Sequence, residues 1–146
     1  MSSAANRGKK PEDAVKKYLE AYDARTHKFD WHRNYDAHTA GGRFPRQVGD
    51  FEFYLPGIHG VIEVKEVNHL CRLPHKNFTL EAVAKLRKRS HASGHVSVLV
   101  YFTPIDQWRI LGLTPFFSRE GGSWDLGLYK LHPTATAALD SLGLFL

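Results

Sequence analysis

The order of patterns along the chain predicts a single α/β domain built around a mixed sheet. Three observations lead there. The 146 residues suffice for one hydrophobic core and not for two independent ones. The patterns alternate as helix, strand, hairpin, helix, strand and strand, an order that interleaves both kinds of element in one architecture. Hydrophobic residues make up 42% and charged residues 24%, the balance of a compact water-soluble fold, which excludes disordered, fibrous and membrane classes.

Residues 1–10 are small, polar and basic and read as a flexible tail, leaving 11–146 as the folded domain. A helix opens at Pro11 and runs to about Ala24. Proline suits a first turn, Glu12 and Asp13 stand where the helix dipole favours acids, and Ala14, Val15, Tyr18, Leu19 and Tyr22 recur at helical spacing. Lys28 to Tyr35 alternates loosely as a strand. Asp36 to Gly49 is a long polar connection, and long ordered loops in small domains are often functional. Asp50 to Leu55 and Gly60 to Val67 are strand patterns joined through Pro56-Gly57, which predicts an antiparallel hairpin. A polar loop, Asn68 to Asn77, precedes a basic helix from Thr79 to Ser90, with an expected apolar face of Leu80, Val83, Ala84 and Leu86. Val96 to Phe102 is the strongest buried strand, and Trp108 to Leu113 is its expected antiparallel partner. After Thr114 the patterns weaken, and Thr134 to Leu142 reads as a short helix.

Other classes are excluded by what the chain lacks. Val96 to Phe102, the longest apolar run, is broken by Ser97 and falls far short of the roughly 20 residues of a spanning helix. The first ten residues have no apolar centre of the kind a signal peptide needs. A single cysteine, Cys71, excludes an internal disulfide and a multi-thiolate zinc site, and suits a reducing, cytoplasmic setting. Lys plus Arg number 20 against 15 Asp plus Glu, a net charge of +5, and nine His add charge beside phosphate. That excess points to a polyanionic partner, nucleic acid foremost.

The chemistry concentrates between Asp50 and Lys65. Strand alternation projects Glu63 and Lys65 from one face and Ile62 and Val64 from the other. The Pro56-Gly57 turn folds the preceding strand back, so Asp50 falls within about one residue pair of Glu63 and Lys65. Two carboxylates brought together repel and resist desolvation, and a divalent cation resolves the conflict. Mg²⁺ takes hard oxygen ligands and keeps open positions for water and phosphate, so Asp50, Glu63 and the carbonyl of Val64 form a reasonable ligand set. Lys65 is then placed to orient the attacking water and to stabilise negative charge on phosphate.

Asp50, twelve intervening residues and then Glu63-Val64-Lys65 resembles the P-D-(D/E)-x-K nuclease signature. Within that superfamily the chain is most similar to the RecU-type Holliday junction resolvases. Ile62-Glu63-Val64-Lys65-Glu66, a short loop and Leu73-Pro74-His75-Lys76-Asn77-Phe78 is similar to their E-x-K-E and F-P-x-K-N-F segments, over a likeness spanning about Gly8 to Leu113. Gly49 stands where the signature has proline, and Ala82 where RecU-like proteins carry glutamine. The resemblance implies a restriction-endonuclease-like αβββαβ core with a mixed central sheet. It implies Mg²⁺-dependent cleavage of phosphodiesters, with Mn²⁺ as a substitute, and branched DNA such as four-way junctions as substrate. A homodimer is expected, because the scissile strands of a junction are related by a two-fold axis. The setting it implies is a bacterial cell or a phage-infected host. It also implies a metal-binding Glu on the first helix, a place that Glu12 matches, with Glu20 as second choice.

Cations flank this segment. Arg43 and Arg46 lie in the loop before Asp50, Lys76 in the loop after the second strand, and Lys85, Arg87, Lys88 and Arg89 on the following helix; all are expected to contact the DNA backbone. Blander alternatives exist for each feature. The Asp50, Glu63 and Lys65 group reads also as a cross-strand ion pair, Glu12 as a dipole partner and the helical cations as a solvated face. At the level of function, the rivals are another nuclease of the same superfamily and a non-catalytic basic DNA-binding module. His91 and His95 are separated by Gly94 and do not share a helix, and Trp31, Trp108 and Trp124 read as core or interface residues and not as base-stacking platforms.

Overall fold

A computed structural model describes residues 9–34 and 48–146. The first helix, α1 (Lys9–Asp23), precedes three strands, β1 (Asp30–Arg33), β2 (Phe51–Leu55) and β3 (Ile58–Val67). After a short strand β4 (Arg72–Pro74) and a 3₁₀ turn (His75–Asn77) come α2 (Leu80–His91), β5 (His95–Phe102) and β6 (Gln107–Leu111). A second 3₁₀ turn (Thr114–Phe117), β7 (Ser123–Asp125) and α3 (Ala135–Asp140) complete the order.

Five strands form the central sheet in the order β1-β2-β3-β5-β6. The β2–β3 hairpin is antiparallel, closed by Pro56-Gly57 with Leu55 against Ile58, and Gly57 takes the positive φ of +75° that the turn requires. Gly60 is demanded by packing instead: a Cβ there would run into the ring of Phe53 across the hairpin. Strands β3 and β5 are parallel, with α2 in the crossover between them, and β6 returns antiparallel to β5. The sheet is therefore mixed.

Alternation along the strands sorts the core into two layers. Phe51, Phe53, Ile62, Val64, Leu99 and Tyr101 face α1 and α3, while Val61, Val67, Val98, Val100 and Phe102 face α2 and the residues from Leu111 to Leu126. Central β5 is covered on both faces, which is why its sequence is a nearly unbroken apolar run.

Several sequence expectations shift. Helix α1 begins at Lys9, so Lys9 and Lys10 belong to its first turn and not to the tail; Lys10 Nζ reaches Tyr101 Oη at 2.9 Å. The loop Asn68 to Asn77 contains β4, which pairs with β7 in a separate two-stranded sheet. On α2 the buried residues are Val83 and Leu86; Leu80 is 69% exposed and Ala84 is also exposed. Thr79 caps this helix by accepting the Ala82 N–H at 3.1 Å, so Leu80 occupies the first turn, outside the stripe that meets the sheet. Strand β6 ends at Leu111, two residues early, and the C-terminal helix is limited to Ala135–Asp140, capped by Thr134. No helix among the described residues is long and apolar enough to cross a membrane.

Candidate metal centre

The site forms where the β2–β3 ladder ends. Gly49 has φ +71°, and a Cβ on it would strike the Val61 side chain, so glycine both permits the turn and lets the backbone lie against β3. Asp50 then bridges two residues of β3. Its N–H donates to the Ile62 carbonyl at 3.0 Å and its Oδ2 accepts the Val64 N–H at 2.6 Å. Phe51 is also the register partner of Ile62, so two residues answer one, the arrangement of a bulge that re-aims a side chain.

Glu63 lies between the two residues that Asp50 holds. Its Oε1 is 3.3 Å from Lys65 Nζ, and both side chains are largely buried, at 12% and 19% exposure. Lys65 Nζ stands 4.8 Å from the centroid of the Phe78 ring, whose face attracts a cation. Burial, and after it the Glu63 charge, pushes the Asp50 carboxyl up to about 7, against the pull of the Val64 N–H and Lys65. Without a cation, the Asp50 carboxyl therefore holds its proton to near neutrality.

Glu12, at the first turn of α1, belongs to the same electrostatic neighbourhood. Burial and then the charge of Asp50 raise its carboxyl above the ordinary value, while Arg33, 3.5 Å from Glu12 Oε1, lowers it. Glu20 is two turns further along α1 and pairs with Lys16 at 3.8 Å. Glu12 is thus within reach of the Asp50 charge.

These donors suit a hard divalent cation. Two partly buried carboxylates are in conflict, and the Val64 carbonyl lies on the same strand edge as the N–H that meets Asp50. No cluster of three or more His, Cys, Asp or Glu side chains that could hold a metal occurs among the described residues, so a cation held here would need main-chain oxygen and small ligands to complete its shell.

The expected DNA-contacting residues separate in the structure. Lys76, in the 3₁₀ turn two residues before Phe78, is exposed, as are Lys85, Arg87 and Lys88 on α2. Arg89 instead turns inward, pairing with the Glu52 carboxylate and donating to His59 Nε2 at 2.8 Å. Arg43 and Arg46 lie outside the described residues.

Sequence reading missed Glu52. This residue of β2 is 6% exposed and accepts hydrogen bonds from Arg89, from His32 Nε2 at 2.8 Å and from Asn34 Nδ2 at 3.2 Å. Its sequence signal is an acid placed between Phe51 and Phe53 with an apolar residue, Val61, as its cross-strand partner. Such an acid needs partners from other elements, and their identity is not encoded locally.

No family model matches the chain, and no curated protein matches it in sequence. Among solved structures, the chain is similar to the Holliday junction resolvase Hjc of the archaeal hyperthermophile Archaeoglobus fulgidus. The TM-score is 0.59 at 19% identity, over 84% of this chain and 91% of the other. The mixed five-stranded sheet flanked by helices thus has the restriction-endonuclease-like fold, with β4 and the 3₁₀ turn inserted between its third strand and α2.

Proposed function

We propose that the chain is a Mg²⁺-dependent DNA endonuclease of the P-D-(D/E)-x-K kind, acting on branched DNA as the RecU-type resemblance and the resolvase fold suggest. One observation supports this above the others: Asp50 and Glu63 converge in a partly buried site where burial and the Glu63 charge disfavour ionisation of Asp50, with Lys65 beside them. A structural ion pair has no need of the second carboxylate, whereas a divalent cation balances both.

Asp50, Glu63 and the Val64 carbonyl would hold the cation, with Glu12 as a further candidate donor, and Mn²⁺ would substitute for Mg²⁺. When bound, the metal supplies Lewis-acid polarisation of a phosphoryl oxygen. Lys65, resting on Phe78 and drawn to Glu63, presents a fixed ammonium where negative charge grows on the phosphate. Lys76, Lys85, Arg87 and Lys88 hold the DNA backbone. Arg43 and Arg46 join them by their place in sequence before Asp50. A four-way junction offers two equivalent strands, so a symmetric homodimer supplies one site to each.

The test is incubation of the protein with a synthetic four-way junction and with linear duplex, in Mg²⁺, in Mn²⁺ and in EDTA. Metal-dependent paired nicks in the junction are expected, abolished in Asp50→Asn and Glu63→Gln while junction binding persists. Equal cleavage of linear duplex would identify a nuclease of another specificity. Binding in EDTA with no metal-dependent product would leave a DNA-binding module only.

A further inference from the structure

A polar network unused by the metal chemistry holds the Asp50 segment from behind. Asn34 follows β1 and is 7% exposed. Its main-chain N–H donates to the Asp50 carbonyl at 2.8 Å. Its Nδ2 donates to the carbonyls of Val48 at 3.0 Å and Gly49 at 3.1 Å, and to Glu52 Oε2 at 3.2 Å. One residue thus grips Val48, Gly49 and Asp50 in succession, through the positive-φ turn that delivers the Asp50 carboxylate to Val64.

The orientation of the amide is not free. Three oxygens surround Nδ2, while Oδ1 is buried without a partner among the described residues, so reversing the group would place oxygen against oxygen. Glu52 is fixed in its turn. Its carboxylate accepts from Arg89, from His32 Nε2 and from Asn34 Nδ2, donors that come from α2, β1 and the residue after β1. Arg89 ties this strut to α2 through Glu52 Oε1, and His59 Nε2 lies 3.7 Å from the same oxygen.

We propose that Asn34 is a positioning residue for the Asp50–Glu63 pair. It sets the path of Val48 to Asp50 so that the carboxylate meets β3 beside Glu63, with Glu52 as the strut that orients it. The inference rests on the metal-centre reading, but its first readout does not.

Amide hydrogen exchange in metal-free protein compares Asn34→Ala and Asn34→Asp with the wild type. Exchange at the Asp50 and Val64 amides should accelerate about tenfold, with little change at Leu99 and Val100 of β5. The second readout is Mn²⁺ binding to the protein alone, followed by loss of the free-ion spin-resonance signal. Affinity should fall about tenfold in both variants. The aspartate form is the decisive one, because its added charge would by Coulomb's law tighten cation binding, whereas it cannot donate to the Val48 and Gly49 carbonyls. Phe145→Leu, in the core beneath α1 and α3, controls for reduced stability and should leave both readouts unchanged. If Asn34→Ala fails to fold, Asn34→Ser, which retains one donor, should give a milder version of the same pattern. Unchanged exchange at Asp50 and Val64, or Mn²⁺ binding to Asn34→Asp at or above the wild-type affinity, would overturn the proposal. Faster exchange in the variants of a protein that binds no Mn²⁺ would uphold the positioning role and remove the metal reading instead.

Discussion

Burial and the Glu63 charge lift the Asp50 carboxyl from 3.8 to about 7, which makes the metal-free fold sensitive to pH in an unusual direction. The folded protein keeps a proton that the unfolded chain gives up above its ordinary value. The contribution of Asp50 to stability is therefore fullest in acid, declines as pH rises toward 7 and stays reduced beyond it. Asp50→Asn removes the cost and keeps an acceptor for the Val64 N–H. In EDTA at pH 8 this variant should be more stable than the wild type by about 1–3 kcal/mol, with the gap closing near pH 4. Added Mg²⁺ should raise the melting temperature of the wild type and not of the variant. Thermal melts across pH check this, and a variant less stable than the wild type at pH 8 would count against the raised Asp50 carboxyl. Asp50, Glu63 and Lys65 could be picked from sequence because strand period and a Pro-Gly turn act over short separations. Asn34 and Glu52 could not, since their partners come from β1, the hairpin and a helix up to 37 residues away.

Helix α2 shows how an element divides its charges between two tasks. Its buried stripe is Val83 and Leu86, and the next residue at that spacing is Arg89, which explains why this arginine meets Glu52 and not solvent. The other cations lie outside the stripe: Lys85 is 3.4 Å from Glu81 Oε1, and the Arg87 guanidinium lies 4.8 Å from the Phe117 ring centroid. Composition marks the run as basic but leaves the phase of the helix open, because Leu80 and Ala84 fit an apolar face as well as Val83 and Leu86 do. Replacing Lys85, Arg87 and Lys88 by Ala should leave the melting temperature nearly unchanged. Each phosphate left unneutralised by these changes should lower the logarithmic salt slope of duplex binding by about 0.9. Arg89→Ala should do the reverse, costing about 3 kcal/mol by stranding the Glu52 charge and leaving the salt slope intact. Melting curves and binding titrations at several salt concentrations separate the two groups; a salt-slope change for Arg89→Ala would mean that it reaches DNA.

The molecule as a whole supports its centre from two sides, and the C-terminal third supplies the less legible one. Strands β4 and β7 are three residues each and pair across about fifty positions, so neither carried a periodic signal. Their pairing brings Arg119 and Trp124 against the turn that bears Lys76. Arg119 donates from Nη1 to the His75 carbonyl at 3.1 Å and from Nη2 to the Phe78 carbonyl, with its guanidinium 5.1 Å from the Trp124 ring centroid. Trp124 in turn packs on His75, Phe78 and Phe116. Phe78 is the seat of the Lys65 ammonium, so this clasp governs the lysine and the Lys76 turn, while Asn34 and Glu52 govern the carboxylates. The two supports should fail differently. Arg119→Leu keeps an apolar side chain against Trp124 but frees the His75 and Phe78 carbonyls, so Phe78 and the lysine above it lose their fixed position. Turnover on junction DNA should fall about tenfold at saturating Mg²⁺, since the charge it misplaces acts in the chemical step. The Mg²⁺ concentration for half-maximal cleavage should not move, because, among the described residues, the clasp contacts of Arg119 and Trp124 include none of the proposed metal donors. Single-turnover rates across a Mg²⁺ titration measure both quantities; a shifted midpoint with an unchanged maximal rate would place Arg119 with the metal donors and dissolve the distinction between the two supports.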